Sequence, residues 1–119
     1  MDSIPKLRVA RPTDDIDALL SFYRDGFGLS VLYRFAGHVG FDGAILGAPG
    51  APFHFEFTRA QSHSAGRAPT QDHLIVLYLP DDGVWRAAIE RFRAAGFEPV
   101  RPLNPYWGIH GATFEDPDG

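Results

Sequence analysis

Cysteine is absent from the 119 residues. That excludes disulfides, thiolate metal sites and cysteine nucleophiles together. No apolar run is long enough to make a membrane-spanning helix. The opening stretch Met1-Asp2-Ser3-Ile4-Pro5-Lys6 lacks the apolar segment of a secretory leader. A strongly basic stretch is missing too. The net charge of −4 leaves no positive footprint of the kind nucleic acid requires. The expected location is the cytoplasm, with neither nucleic acid nor membrane as a partner.

What is present is ordinary for one globular domain: 45% apolar and 22% charged residues. Thirteen glycines and ten prolines punctuate the chain. Strand, helix and strand signals then come twice. Residues 7–11 read as a strand. Ile16, Leu19, Leu20, Tyr23 and Phe27 fall at helical spacing. Thr13 is placed as the cap of that helix, with Asp14 and Asp15 in its first turn. Gly26 and Gly28 stop it. Strands follow at 29–35, 41–46 and 53–58. The second copy opens with His73-Leu74-Ile75-Val76-Leu77-Tyr78-Leu79, the clearest strand in the sequence. Pro80-Asp81-Asp82 starts a helix with Val84, Trp85, Ala88, Ile89 and Phe92 as its apolar stripe, and Gly96 ends it. Residues 97–101 and 109–115 read as strands.

The copies align at particular residues. Phe22-Tyr23-Arg24-Asp25-Gly26-Phe27 matches Phe92-Arg93-Ala94-Ala95-Gly96-Phe97. Phe41-Asp42-Gly43-Ala44-Ile45-Leu46 matches Ile109-His110-Gly111-Ala112-Thr113-Phe114. A spacing of about 70 residues in both cases reads as a duplicated unit. The expected fold is α+β, two βαβββ units, with unit one at 6–58, a linker at 59–72 and unit two at 73–119. Asp116-Pro117-Asp118-Gly119 reads as a type I turn. In unit one a strand follows the corresponding point. The last strand of unit two is therefore expected after Gly119, in a natural chain that continues.

Two such units ending in Phe114-Glu115-Asp116-Pro117-Asp118-Gly119 resemble the vicinal oxygen chelate superfamily. Its members include glyoxalase I, extradiol dioxygenases, and the fosfomycin and bleomycin resistance proteins. The resemblance also rests on Leu20-Ser21-Phe22-Tyr23, the strand 54–58, Asp72-His73-Leu74 and Asn104-Pro105-Tyr106-Trp107. The stretch 8–15 and Asn104 to Trp107 look closest to a bacterial glyoxalase-like branch. The resemblance implies a curved half-barrel sheet from each unit around a cavity, helices outside, and a homodimer.

It also implies four metal-ligand positions. Carried over, the fourth-strand position falls on Glu56 and the fifth-strand position on His73, both acceptable ligands. The first-strand position falls on Arg8, whose guanidinium has no lone pair to give. The last lies beyond Gly119. Two ligands are fewer than the three a catalytic site takes from the protein. The expectation is that no cofactor is bound and that Arg8 replaces the metal as the positive charge, forming a bidentate pair with Glu56. Strand alternation puts His54, Glu56 and Thr58 on one face and Phe53, Phe55 and Phe57 on the other, against the helix. Arg8, His54, His73, Tyr106, Trp107 and Phe114 are the candidate binding residues, with Glu56 as the candidate catalytic group. Blander readings stay open: Arg8 and Glu56 as a structural ion pair, His73 as a carbonyl cap, the aromatics as filling.

Three functions fit. The first is a metal-free protein holding a small organic ligand in an aromatic cavity, as bleomycin-resistance proteins do. The second is a metal-dependent lyase, isomerase or dioxygenase using Glu56 and His73. The third is metal-free acid–base chemistry, with Glu56 as base and Arg8 stabilising an enolate-like oxygen.

Overall fold

The structure, a computed structural model, describes residues 4–119. The first three residues of the N-terminal stretch read above lie outside it. Four strands make one open, curved sheet: β1 (Leu7–Pro12), β2 (Ser30–His38), β3 (Phe41–Gly47) and β4 (Phe53–Ala60). Their order is β1-β4-β3-β2. β1 runs parallel to β4, and the other neighbours are antiparallel.

Helices cover one side only. α1 (Ile16–Leu20) continues as a π-helical turn over Ser21–Gly26, and α2 is Asp82–Ala94. Phe55 and Phe57 are buried, and their rings lie 5.8 and 4.9 Å from that of Tyr23. Ala44 and Leu46 of β3 are sealed on the same side. Each buried phenylalanine contributes about 1.5–3 kcal/mol relative to exposure. The alternation that turns the phenylalanines inward turns His54, Glu56 and Thr58 to the open face, as the sequence predicts.

The helix start differs from expectation. Asp15, not Thr13, is the cap, and its side chain accepts from the Ala18 N–H at 3.1 Å. Thr13 is still held by the sheet, its N–H donating to the Thr58 carbonyl at 2.9 Å. Its hydroxyl instead accepts from the Asp15 N–H at 3.1 Å. α2 starts at 80–82 as the sequence suggests, with Asp81 as its cap, accepting from the Val84 N–H at 2.9 Å. The two helical segments meet through aromatic rings. Phe22 lies 4.9 Å from Phe92 and 5.0 Å from Phe97. Gly26 permits that approach, because a Cβ there would stand 2.6 Å from the Phe92 ring.

The second half departs furthest from the reading above. Residues 73–79 carry no ladder among the described residues. The expected strands 97–101 and 109–115 reduce to one antiparallel bridge, Val100 to Thr113. A physical reason is visible in the first half. There β1 is an edge strand, and β4 is the strand hydrogen-bonded to it. Among the described residues nothing plays β4 to 73–79.

The linker is tied at both ends. Asp14 accepts from Ser64 Oγ and from the N–H groups of Ala65 and Gly66. Those donors hold its carboxyl below the usual aspartate range. Arg67 bonds Glu115 at 2.9 Å, and the Ala68 N–H donates to the Asp118 carbonyl at 2.8 Å. The expected turn at 116–119 is closed by the Gly119 N–H donating to the Asp116 carbonyl at 2.9 Å. The Tyr23 hydroxyl donates to Asp116 Oδ2 at 2.6 Å. Burial first, then the Asp116 charge, pushes the Tyr23 phenol far above its ordinary range.

Candidate functional site

The open face of the sheet gathers polar groups on β1 and β4. Arg8 stands opposite His54 in the parallel register, and Ala10 opposite Glu56. Arg8 Nε donates to His54 Nε2 at 2.7 Å. Arg8 Nη1 lies 3.7 Å from Glu56 Oε2. The bidentate Arg8–Glu56 pair expected from the sequence is therefore not formed. His54 takes the Nε–H that a fork to Glu56 would use. The Arg8 side chain is 46% exposed and that of Glu56 20%. At that exposure water screens the pair, so it adds little stability.

Towards β3 and β2 the same face becomes apolar. Glu56 stands opposite Ile45, and Ile45 opposite Tyr33. Thr58 stands opposite Gly43, and Gly43 opposite Phe35. Directly opposed residues share a face. A Cβ on Gly43 would lie 2.3 Å from the Phe35 ring, so that ring lies across the glycine. Gly47 likewise makes room beside Leu32 and His54. The result is a polar strip of Arg8, His54 and Glu56 on β1 and β4 and, across β3, an aromatic one of Tyr33 and Phe35 on β2. Tyr33 is 61% exposed. In the sequence Tyr33 and Phe35 read among strand aromatics of which some should line the cavity, with nothing to say which. The bulges between Val31 and Tyr33 and between Phe35 and His38 hide their face from simple alternation.

The other candidates lie elsewhere. His73 lines a cavity of about 260 Å³ with Val9, Arg11, Thr70, Leu74 and Ile75. Val9 and Arg11 alternate with Arg8 on β1, so this cavity opens on the other side of that strand. The structure thus gathers Arg8, His54 and Glu56 but does not bring His73 to them. Tyr106 and Trp107 sit in a 3₁₀ turn, Pro105–Gly108, capped by Asn104. Their rings meet edge to face at 5.1 Å. Trp107 lines a second cavity of about 140 Å³ with Asp72, Leu74, Pro102 and Leu103. Both volumes fall below the roughly 300 Å³ at which ligand pockets begin. Phe114 stacks on Phe92 at 4.2 Å and packs against the core, away from the open face.

Among the described residues the donor set does not complete the metal site that the resemblance implies. A catalytic site takes about three protein ligands. Among the described residues no group of three or more His, Asp or Glu side chains comes together. Arg8 occupies the first-strand position and cannot ligate.

Residues 7–58 match the YycE-like N-terminal domain and residues 72–119 the YycE-like C-terminal domain. YycE of Bacillus subtilis (strain 168) is 38% identical over 114 residues, 96% of this chain and 82% of that one. The chain belongs to the YycE-like family. A crystal structure of a Bacillus subtilis YycE protein of unknown function superposes with a TM-score of 0.86 at 38% identity, covering 96% of this chain and 83% of that one. Glyoxalase I of Leishmania major shares the fold at a TM-score of 0.71 and 17% identity, over 98% of this chain and 82% of that one. TnmS3, an antibiotic binding protein from Streptomyces sp. CB03234, shares it at 0.64 and 22%, over 100% and 92%. The YycE-like chain shares its fold with glyoxalases and with bleomycin and fosfomycin resistance proteins, its structural neighbours. No helix among the described residues is long and apolar enough to cross a membrane.

Proposed function

We propose that this protein binds a small organic molecule on the open face of its sheet, with Arg8 serving as the positive charge in place of a metal ion. One observation carries the reading. Arg8, at the first-ligand position that the resemblance implies, is held by His54 through Nε, with no partner for Nη2 among the described residues. The guanidinium suits a carboxylate or other oxyanion. Tyr33 and Phe35, on the same face but separated from Arg8 by β4 and β3, suit an apolar or planar body extending across the sheet. Glu56 limits the site to ligands that bring an anionic or acceptor group to Arg8 and keep it off the carboxylate. TnmS3 is an antibiotic binding protein on the same fold, which is compatible with binding in the absence of a reaction. The chain is read as two βαβββ units in a homodimer.

The test is metal content, metal-titrated thermal stability and small-molecule binding, on wild type and Arg8→His. The expected result is no stoichiometric metal in the wild type, uptake by Arg8→His, and loss of organic-anion binding in that variant. Stoichiometric metal in the wild type overturns the proposal. It favours a metal-dependent lyase, isomerase or dioxygenase using Glu56 and His73.

A further inference from the structure

We propose that His54 is a positioning residue: by taking the Arg8 Nε–H it keeps the guanidinium off Glu56 and so available to an oxyanion. The consequence for binding rests on the reading of Arg8 as the anion site. The contact itself does not.

Among the described residues Arg8 has two polar neighbours. His54 Nε2 accepts from Nε at 2.7 Å, and Glu56 Oε2 lies 3.7 Å from Nη1. An N–H donor bonds the unprotonated ring nitrogen, so His54 carries its ring proton on Nδ1. Charge alone would choose the other neighbour. A carboxylate attracts a guanidinium more strongly than a neutral imidazole does. Closing the gap to the about 2.7–2.9 Å of a charge-assisted bond takes a movement of about 1 Å at the end of a flexible side chain. Neither residue opposite Glu56 would prevent it. Ala10 on β1 and Ile45 on β3 bring no charge and no donor in their side chains. Glu56 is therefore an internal competitor for Arg8, and the bond from Nε to His54 opposes it. A fork to Glu56 would neutralise the charge that draws an oxyanion.

Strand register makes the opposing bond. In the parallel pairing of β1 with β4, Arg8 is directly opposite His54. Glu56 lies two residues further on, about 6–7 Å along the strand. The imidazole is half-buried and has a neighbour on its other side. Gly47 of β3 stands opposite His54. The space that a Cβ on Gly47 would take is bordered by Leu32 Cδ1 at 3.1 Å and His54 Cβ at 3.2 Å. β3 puts no side chain there, and Leu32 of β2 reaches over the gap towards His54. His54 thus sits between Leu32 and Arg8, and the guanidinium is anchored at the end nearest its own strand.

The test uses the whole chain at one fixed neutral pH. Nitrogen NMR of the Arg8 Nε–H group, without ligand, reads the contact. In wild type, Glu56→Gln should leave that signal nearly in place. In His54→Leu the same substitution should shift it, because Arg8 then rests on Glu56. His54→Ala repeats the measurement with a smaller side chain. Benzoate titration reads the consequence. His54→Leu should bind about tenfold more weakly than wild type, and His54→Gln, whose amide oxygen can accept from Nε, within about threefold of it. Glu56→Gln removes a repelling charge in either background, but its gain should be about fivefold larger in His54→Leu than in wild type. An Arg8 signal that ignores Glu56→Gln in both His54→Leu and His54→Ala overturns the proposal. Equal gains from Glu56→Gln in the two backgrounds also overturn it, because His54 then acts on the ligand or the strand and not through Arg8. No benzoate binding by wild type, with the NMR pattern as expected, strikes the oxyanion reading of Arg8 and leaves the positioning role supported.

Discussion

Replacing Tyr23 by phenylalanine tests how the C-terminal turn is held to the core. The substitution keeps the ring and its contacts with Phe22 at 4.8 Å and Phe57 at 4.9 Å. It removes only the hydroxyl that donates to Asp116 Oδ2 at 2.6 Å. Asp116 keeps its bond from the Asp118 N–H at 2.8 Å on the other oxygen. A hydrogen bond to a charged group contributes about 1.5–3 kcal/mol, and that is the expected loss. At roughly 4 °C per kcal/mol for a domain of this size, the Tm falls by about 6–12 °C. Urea unfolding of Tyr23→Phe, Asp116→Ala and the double variant gives the coupling, expected at about 1.5 kcal/mol or more. Alkali supplies an independent readout. The folded phenol is raised, so its stabilising contribution is complete below the unfolded tyrosine range near about 10 and is lost as pH climbs above it. Wild type should therefore lose stability faster than Tyr23→Phe above about pH 10. A loss below about 0.5 kcal/mol with no coupling, or identical alkaline slopes, refutes the reasoning.

Other outcomes follow from single positions. Gly26→Ala drives a methyl into the Phe92 ring, which is pinned by Phe114 and Phe22, and should cost about 1–3 kcal/mol in urea unfolding. Val39 holds φ of 52° at the exposed β2–β3 hairpin tip, where a β-branched residue is strained, so Val39→Asn should stabilise by about 1 kcal/mol in the same assay. The lowered Asp14 carboxyl ties the linker above the ordinary aspartate range, and this hold is lost as pH falls through its depressed value. The amides of Ala65 and Gly66 should then lose protection, relative to their intrinsic exchange rates, below about pH 4 in wild type, and already at neutral pH in Asp14→Ala.

The sequence by itself determined the elements of the first half. Helical spacing of Ile16, Leu19, Leu20 and Tyr23, and period-two alternation along 53–58, are local signals that burial then honours. Alternation also sufficed to put Arg8, His54 and Glu56 on one open face, because a strand allows a side chain only two directions. Tertiary structure decided what those signals could not carry. Which acceptor Arg8 Nε takes depends on a parallel register between segments 46 residues apart, and it is His54. The helix cap moved to Asp15 because the sheet keeps Thr13. Phe114 went to the core because Phe92 offers it a ring to stack on. Residues 73–79 show the boundary most clearly. Their composition encodes a strand, but a strand exists only through its partner, and hydrogen bonds to a partner are a property of the assembled sheet.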